Sequence, residues 1–161
     1  MDRAVICIVE YDIKYAKEIS SLIIRNLKEV NSKDYPISEI EALAERFSEV
    51  NIDNLLRDRK VFVAVWNEKA IGTLSVVNKR GGEVFDYIFL TIFVNPDFHR
   101  RGIGKKLMYE GETYVKGLQG KTISIPSSIT SSEFYVRMGY EYIEGIKKLD
   151  DSGHYWMVKK I

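Results

Sequence analysis

The chain has 161 residues, of which 45% are hydrophobic, and this length suits one domain, residues 1–161, with a single substantial core. Lys and Arg number 24 against 23 Asp and Glu, so a formal net charge of +1 offers no global field to attract nucleic acid or an anionic membrane. The one cysteine, Cys7, excludes an internal disulfide and a cysteine-rich zinc site.

The opening MDRAVICIVEYD lacks the apolar stretch and cleavage site of a signal peptide, and no apolar run approaches the ~20 residues that span a bilayer. We therefore expect a cytoplasmic protein without a membrane partner and without a metal. Residues 4–10, AVICIVE, are β-branched and apolar and predict a buried first strand. Cys7 lies on this strand, and we interpret it as a buried apolar residue rather than a nucleophile.

Two helices are predicted next. Asp12 can cap the first, whose apolar residues recur at helical spacing to about Val30. After a break at Pro36, Ser38 and Glu41 form a capping box that predicts the start of a second helix. A further short helix is predicted around residues 55–56.

From residue 60 onward the pattern is mainly that of strands. KVFVAVW and AIGTLSVV flank the turn NEK and predict a hairpin, and Gly81 with Gly82 predicts the next turn. The aromatic and β-branched run EVFDYIFLTIFV, residues 83–94, predicts a central strand ended by Asn95-Pro96.

A helix with apolar residues at helical spacing follows from Ile103 to a stop at Gly120. KTISI then predicts a strand ended by Pro126, and SITSSEFYVRM predicts a short helix closed by Gly139. YEYIEGIKKL and HYWMVKKI are expected to pair as a last hairpin across DDSG.

This order predicts an α/β (α+β) fold. We expect a mixed central sheet of about seven strands, mostly antiparallel, flanked by about four helices. The strands before and after the long helix should be parallel neighbours, because a helical crossover joins them.

The stretch NPDFHRRGIGKKLM, residues 95–108, places glycines and basic side chains at the start of the long helix. The first N–H groups of a helix lack intrahelical partners and attract anions, and glycines allow a phosphate to approach closely. A dinucleotide fingerprint is excluded because Leu107 stands where its third glycine is required, and no Gly-x4-Gly-Lys-Ser/Thr string exists in the chain.

The spacing His99-x-x-Gly102-x-Gly104 after a long strand resembles the Gln/Arg-x-x-Gly-x-Gly/Ala pyrophosphate loop of the GCN5-related N-acetyltransferases, the GNAT family. SSEFYVRMGY, residues 131–140, looks like the second signature of that family, and the element order matches its fold over nearly the whole chain. Two departures are His99, where the family usually has Gln or Arg, and Ser128, where it often has Asn.

The resemblance implies acetyl-CoA as an acyl donor and an amine as its acceptor, transferred directly in a ternary complex. It implies that the pantetheine arm pairs with the backbone of Ile92, Phe93 and Val94, and that a backbone N–H near Val94 polarises the thioester carbonyl. The remaining implied cofactor contacts are His99, Arg100, Arg101, Gly102, Ile103, Gly104, Lys105, Ser128 and Tyr135.

Tyr135 occupies the position of the family's proton-donating tyrosine, so the resemblance implies that it protonates the departing thiolate. A base would help, because an alkyl ammonium with a pKa of ~10 is only about 0.1% deprotonated at pH 7. The positions where relatives carry such a base fall on Ile88 and Leu90, which are apolar. Asp86 is the candidate that remains, and Glu83 is a second; either would act through water.

The acceptor is left open. In the family, residues corresponding to 31–59 roof the acceptor pocket together with the last hairpin, and protein N-termini, lysines, polyamines and aminoglycosides all fit. Glu41, Glu45 and Glu49 are predicted on one helix face, which we interpret as solvated rather than as an acidic lip. A module that binds acyl-CoA without turnover is the alternative function, nucleic-acid binding is disfavoured by the near-zero charge, and the edge strands allow a homodimer.

Overall fold

The computed structural model describes residues 5–79 and 85–161. The predicted turn at Gly81 and Gly82 and the candidate base Glu83 lie outside these residues. The helices are α1 Ala16–Glu29, α2 Ile37–Arg46, α3 Glu49–Leu56, α4 Ile103–Gly117 and α5 Ser132–Arg137. The strands are β1 Cys7–Glu10, β2 Lys60–Trp66, β3 Lys69–Asn78, β4 Asp86–Val94, β5 Thr122–Ser127, β6 Glu141–Tyr142 and β7 Tyr155–Lys160.

The strands form one seven-stranded sheet in the order β1-β2-β3-β4-β5-β7-β6. Among the described strands β4 and β5 are the parallel pair, and every other pairing is antiparallel. The long helix α4 connects β4 to β5, as the crossover argument requires. The predicted mixed sheet with one parallel pair is therefore confirmed.

The two faces of the sheet carry separate hydrophobic clusters. Helix α4 packs on one face through Ile103, Leu107, Met108 and Val115, each at most 1% exposed. Helix α1 packs on the other face through Ile19, Ile23 and Leu27, and α2 and α3 join the same cluster. The helical spacing in the sequence predicts both buried stripes, since burial of such a stripe is the main stabilising term of each helix.

Strands β4 and β5 pair only at one end. Their register runs from Asp86–Thr122 to Ile88–Ser124, and β5 then continues alongside β7 as far as Ser127–Tyr155. Residues 89–94 of β4 are therefore left without a β5 partner, and the two strands diverge. The result is a V-shaped opening in the middle of the sheet, open towards the end of β4 that leads to α4.

Helix boundaries differ from the predictions where the predicted signal was a capping motif. Helix α2 begins at Ile37, its N-cap is Pro36, and no side chain caps it, so the predicted capping box at Ser38 does not form. A break at Phe47 and Ser48 also separates Glu49, at the start of α3, from Glu41 and Glu45 on α2. The predicted acidic helix face is wrong because the backbone turns before the third carboxylate.

The last hairpin is also shorter than predicted. Strand β6 covers only Glu141 and Tyr142, and of the residues between it and β7 only Leu149 forms a bridge, with Tyr155. Pro126 lies within β5 rather than ending it. It sits beside the opening where β4 has diverged, so a missing N–H on that side leaves no neighbour unpaired.

The interpretation of Cys7 as a buried residue is wrong, because its side chain is exposed. Strand β1 is the edge strand of the sheet, and its first and last residues lie outside the cover of the helices. An apolar sequence therefore fills an edge position that only the tertiary structure reveals.

Candidate active site

The mouth of the V-shaped opening is formed by the loop between β4 and α4. Gly102 is the N-cap of α4 with φ 76° and ψ 11°, and Arg100 also has a positive φ of 61°. A Cβ on Gly102 would meet no atom of the described residues within 4 Å. The glycine is thus required by its left-handed backbone, and it leaves free space in front of the first N–H groups of α4.

Gly104 is required for a different reason. A Cβ at this position would lie 3.2 Å from Cζ of Phe134, so α4 and α5 approach closely only because the side chain is missing. Phe134 precedes Tyr135, and their rings pack edge to face with centroids 5.2 Å apart. The glycine therefore brings the loop at the start of α4 next to the predicted proton donor on α5.

The basic residues of the loop have different surroundings. The Arg101 guanidinium lies over the ring of Phe98 at 5.3 Å, and Arg100 and Lys105 are exposed. Ile103 is 1% exposed and packs in the core, so only its backbone faces the loop. Two exposed arginines and a lysine near a helix N-terminus suit an anion.

His99 lies against the end of β4. Its Nε2 is 2.8 Å from the carbonyl oxygen of Val94, which also accepts a hydrogen bond from Nδ2 of Asn26 at 2.7 Å. The Val94 carbonyl is therefore already occupied by two side chains. His99 stabilises the turn out of β4, and this contact explains how a histidine suits the first position of the loop.

Strand β4 contains a bulge within the opening. Thr73 pairs with Phe93 but Ser75 pairs with Leu90, so Thr91 and Ile92 together lie opposite Leu74. Thr91 has φ 47°, a conformation that costs a β-branched residue about 1–3 kcal/mol. The extra residue places Ile92 and Val94 against the α4 cluster and Phe93 against the α1 cluster.

Tyr135, on the helix that meets the start of α4, is buried, with 5% of its surface exposed. Burial raises the pKa of its phenol well above the usual range, so the group stays protonated through neutral pH. On its other side lies Tyr140, with ring centroids 6.2 Å apart, and the Tyr140 hydroxyl donates to Glu112 at 3.0 Å. Lys159 donates to the same carboxylate and to the Met138 carbonyl, so a satisfied polar network fixes the aromatic pair from behind.

Ser128 lies in the turn between β5 and α5. Its hydroxyl accepts the Ser131 backbone N–H at 3.2 Å and donates to the Ser131 hydroxyl at 3.0 Å. The side chain is partly buried and belongs to the turn that leads into α5. Ser128 and Tyr135 thus lie on the β5 side of the opening, and the glycine loop lies on the β4 side.

Asp86 is not brought to this site. It lies at the closed end of the β4–β5 pair, where its carboxylate accepts a hydrogen bond from the Thr122 hydroxyl at 2.5 Å. Ile92 is six residues further along β4, which corresponds to about 20 Å of strand. The role of Asp86 as a base stays a prediction without geometric support.

The segment 31–36 crosses the opening on the α1 side of the sheet, and the sequence does not single out its key residue. The Tyr35 hydroxyl accepts the Ile129 N–H at 2.9 Å and donates to the Gly153 carbonyl at 2.7 Å. The neighbouring Asp34 accepts a bond from the Thr130 hydroxyl at 2.7 Å. Since Asn26 holds the preceding helix to Val94 on β4, the segment spans from β4 to the ends of β5 and β7.

We expect Tyr35→Phe to lower the free energy of unfolding by about 1–2 kcal/mol, because the Ile129 N–H and the Gly153 carbonyl lose the hydroxyl that joins them. Urea denaturation measures the change. Tyr109→Phe is the matched control. Because Tyr109 is 68% exposed, this substitution should change the free energy of unfolding by close to zero. Equal losses in the two variants would mean that the bridge contributes nothing.

Within the described ranges, 5–79 and 85–161, no group of three or more His, Cys, Asp or Glu side chains is arranged to hold a metal ion. No helix in the same part of the chain is long and apolar enough to cross a membrane.

Comparison with known proteins identifies a family and a fold. The sequence model of the acetyltransferase (GNAT) domain matches residues 30–161. The PaiA N-acetyltransferase of Thermoplasma acidophilum, in complex with coenzyme A, is similar with a TM-score of 0.82 and 18% identity, covering 98% of this chain and 99% of that one. No curated protein sequence matches the chain significantly.

Two further solved structures agree. A GNAT family acetyltransferase from Brucella melitensis, in complex with acetyl-CoA, has a TM-score of 0.70 and 17% identity over 99% of this chain and 90% of that one. An aminoglycoside 6'-N-acetyltransferase complexed with coenzyme A has a TM-score of 0.67 and 17% identity over 96% of both chains. At these identities the likeness shows a shared fold.

Proposed function

Because the chain belongs to the GNAT acetyltransferase family, we propose that it is an acyl-CoA-dependent N-acyltransferase that moves an acetyl group from acetyl-CoA to an amine. The observation that carries the proposal is the V-shaped opening of the sheet. An anion-ready helix start lies at its mouth, and a buried, protonated tyrosine lies on α5, which packs against that helix start at Gly104. The coenzyme A and acetyl-CoA complexes of structurally similar proteins support the same donor.

In this proposal the loop at the start of α4 holds the pyrophosphate. The backbone N–H groups from Arg101 to Lys105 bind its oxygens, and the free space in front of Gly102 allows a phosphate to approach. Arg100 and Arg101 balance the negative charge from the solvent side. The side chain of Ile103 takes no part, since it is buried in the core.

The pantetheine arm enters the opening as an added strand beside β4, where residues 89–94 have no partner on the β5 side. Ile92 and the Val94 N–H supply the backbone groups for this pairing, because Phe93 is paired with Thr73 on β3 and the Val94 carbonyl is occupied by His99 and Asn26. Ser128 contributes a hydroxyl from the opposite wall. The acyl carbon then lies near the bulge of β4.

The transfer needs a bond exchange at this carbon. The neutral amine forms the new C–N bond, a backbone N–H of the bulge stabilises the oxyanion, and the C–S bond breaks. The leaving thiolate, with a pKa of roughly 8.5 if it resembles a cysteine, takes the phenolic proton of Tyr135. The raised pKa of Tyr135 keeps that proton available at neutral pH. The attacking nitrogen gives up one proton to water as the amide forms, and Tyr135 regains one proton from water after the thiol leaves, so the proposal assigns no protein base to the amine.

The acceptor enters on the α1 side, beneath the segment 31–36 and beside the turn that contains Gly153. Tyr35 joins the segment 31–36 to the turn that contains Gly153. The proposed acceptor pocket is therefore bounded by residues from the first and last parts of the chain. We propose an amine as the acceptor and leave its class open among small molecules and protein amines.

We expect titration calorimetry to show binding of acetyl-CoA and coenzyme A and no binding of NADH, because the loop lacks the third glycine of a dinucleotide site. An amine panel, followed by release of the coenzyme A thiol, then tests turnover. The assay uses Cys7→Ser, since the exposed Cys7 reacts with the same thiol reagents. Binding without turnover on any amine would favour the module that binds acyl-CoA, and no binding of either would remove the proposed function.

A further inference from the structure

The bulge of β4 has an unusual residue at its turning point. On β3 only Leu74 separates Thr73 from Ser75, while on β4 Thr91 and Ile92 lie between their partners Phe93 and Leu90. The left-handed position in a bulge of this kind usually belongs to glycine, which has no Cβ to clash. Here it is Thr91, with φ 47° and a β-branched side chain. A backbone held in this way requires a neighbouring group that fixes it.

That group is the hydroxyl of Ser75. Ser75 lies on β3 with 0% of its surface exposed, and its Oγ is hydrogen-bonded to Oγ1 of Thr91 across the two strands. Strand β3 pairs with β2 on its other side, so Ser75 is attached to the rigid centre of the sheet. The bond fixes the side-chain rotamer of Thr91, and through a β-branched residue it restrains the backbone as well.

The restrained peptide lies at the place where the chemistry is proposed. Pairing between β4 and β5 ends at Ile88, and the bulge leaves Thr91 and Ile92 without their own partners on β3. Shifting a strand by one residue exchanges its two faces, so loss of the bulge would also move Phe93 from the α1 side. The direction of the backbone N–H groups in the opening therefore depends on this turn.

We propose that Ser75 is a positioning residue for acyl transfer, because its hydroxyl holds Thr91 in the left-handed bulge that directs a β4 backbone N–H to the thioester carbonyl. The proposal rests on the proposed function. Ser75 touches neither substrate nor cofactor. Its effect reaches the reacting atoms through Thr91 and the adjoining peptide.

The chain offers a matched control on the same strand. Thr73 is also 0% exposed, and its hydroxyl has no hydrogen-bond partner among the described residues. Thr91→Val and Thr73→Val are the same substitution at two hydroxyls of neighbouring strands, the half-buried one of Thr91 paired with Ser75 and the buried one of Thr73 not. Ser75→Ala removes the other half of the bond, and Thr91→Ser keeps the hydroxyl.

The test measures the thioester carbonyl stretching frequency of protein-bound acetyl-CoA by isotope-edited infrared spectroscopy. The thioester carbonyl carries a ¹³C label. In the unsubstituted protein a hydrogen bond from the bulge lowers the carbonyl stretching frequency. We expect Ser75→Ala and Thr91→Val to reverse this shift and to lower kcat about 10- to 100-fold, with the acetyl-CoA Kd changed less than twofold. Thr73→Val leaves the carbonyl stretching frequency and kcat unchanged. Thr91→Ser keeps most of the frequency shift and most of kcat.

The two single variants also form a double-mutant cycle. Since Ser75→Ala and Thr91→Val delete the same bond, the double variant should lose no more kcat than either one alone. A carbonyl shift and turnover that both survive Ser75→Ala would overturn the role of Ser75 and leave the proposed function standing. Absence of acetyl-CoA binding in the unsubstituted protein would overturn both.

Discussion

We expect Tyr135→Phe to lower kcat by about 10²- to 10⁴-fold and to leave acetyl-CoA affinity unchanged, because the substitution removes the proposed proton donor and keeps the buried ring. The ring packs between Phe134 and Tyr140, and a phenylalanine preserves both contacts. Stopped-flow thiol release with a saturating amine gives kcat, and calorimetry gives the Kd. The loss should be greatest with acyl donors whose thiol is the poorest leaving group.

Tyr114→Phe is the control for this substitution. Tyr114 lies on the same helix as Gly104, about 15 Å along α4 from that glycine, and its ring packs against Phe62. Its hydroxyl has no place in the proposed chemistry, so kcat should stay within twofold of the unsubstituted value. Equal rates for Tyr135→Phe and the unsubstituted protein across the pH range would remove Tyr135 from the mechanism.

Gly102→Asp weakens coenzyme A binding by about 100-fold. A carboxylate about 5 Å from a phosphate repels it by about 3 kcal/mol at an effective dielectric constant of about 20. The side chain has room, since a Cβ at Gly102 meets no atom of the described residues within 4 Å. The left-handed backbone strains any side chain at this position, but aspartate tolerates a positive φ better than most residues, so helix α4 should persist.

Gly117→Asp carries the same charge change at the other end of α4, where a Cβ also meets no neighbour within 4 Å in the described part of the chain. This position is about 20 Å from the loop along the helix axis, so coenzyme A affinity should not change. Calorimetry on both variants, with circular dichroism to confirm folding, separates local repulsion from lost structure. Unchanged affinity in Gly102→Asp would mean that the pyrophosphate binds elsewhere.

Much of the fold was predictable because local signals and burial agreed. The stripes of α1 and α4 and the hairpin of β2 and β3 appear in the structure as predicted. The predicted capping box at Ser38 does not form because Pro36 is the N-cap and α2 begins at Ile37, which places Ser38 inside the first turn of the helix. The prediction that Cys7 is buried was wrong because composition does not distinguish an edge strand from a central one.

The residues of the candidate site also fall into two groups, those that the sequence predicts and those that it does not. The glycine loop and the Tyr135 segment were predictable, since each is a local pattern of residue types at fixed spacing. Tyr35 was not, because its hydroxyl joins Ile129 and Gly153, which are 94 and 118 residues away in sequence. No spacing within one segment reports a contact of that kind.

The sequence by itself determined the elements, the parallel crossover and the anion-ready start of α4, because helix and strand periods and the glycine positions are local properties of the chain. Only the tertiary structure decided the geometry of the opening in the sheet. The divergence of β4 from β5, the bulge at Thr91 and its bond to Ser75 arise from pairing between separate strands. The sequence predicts Asp86 and Thr91 equally as residues of one strand. Only the register of strand pairing places Asp86 at the closed end and Thr91 in the opening.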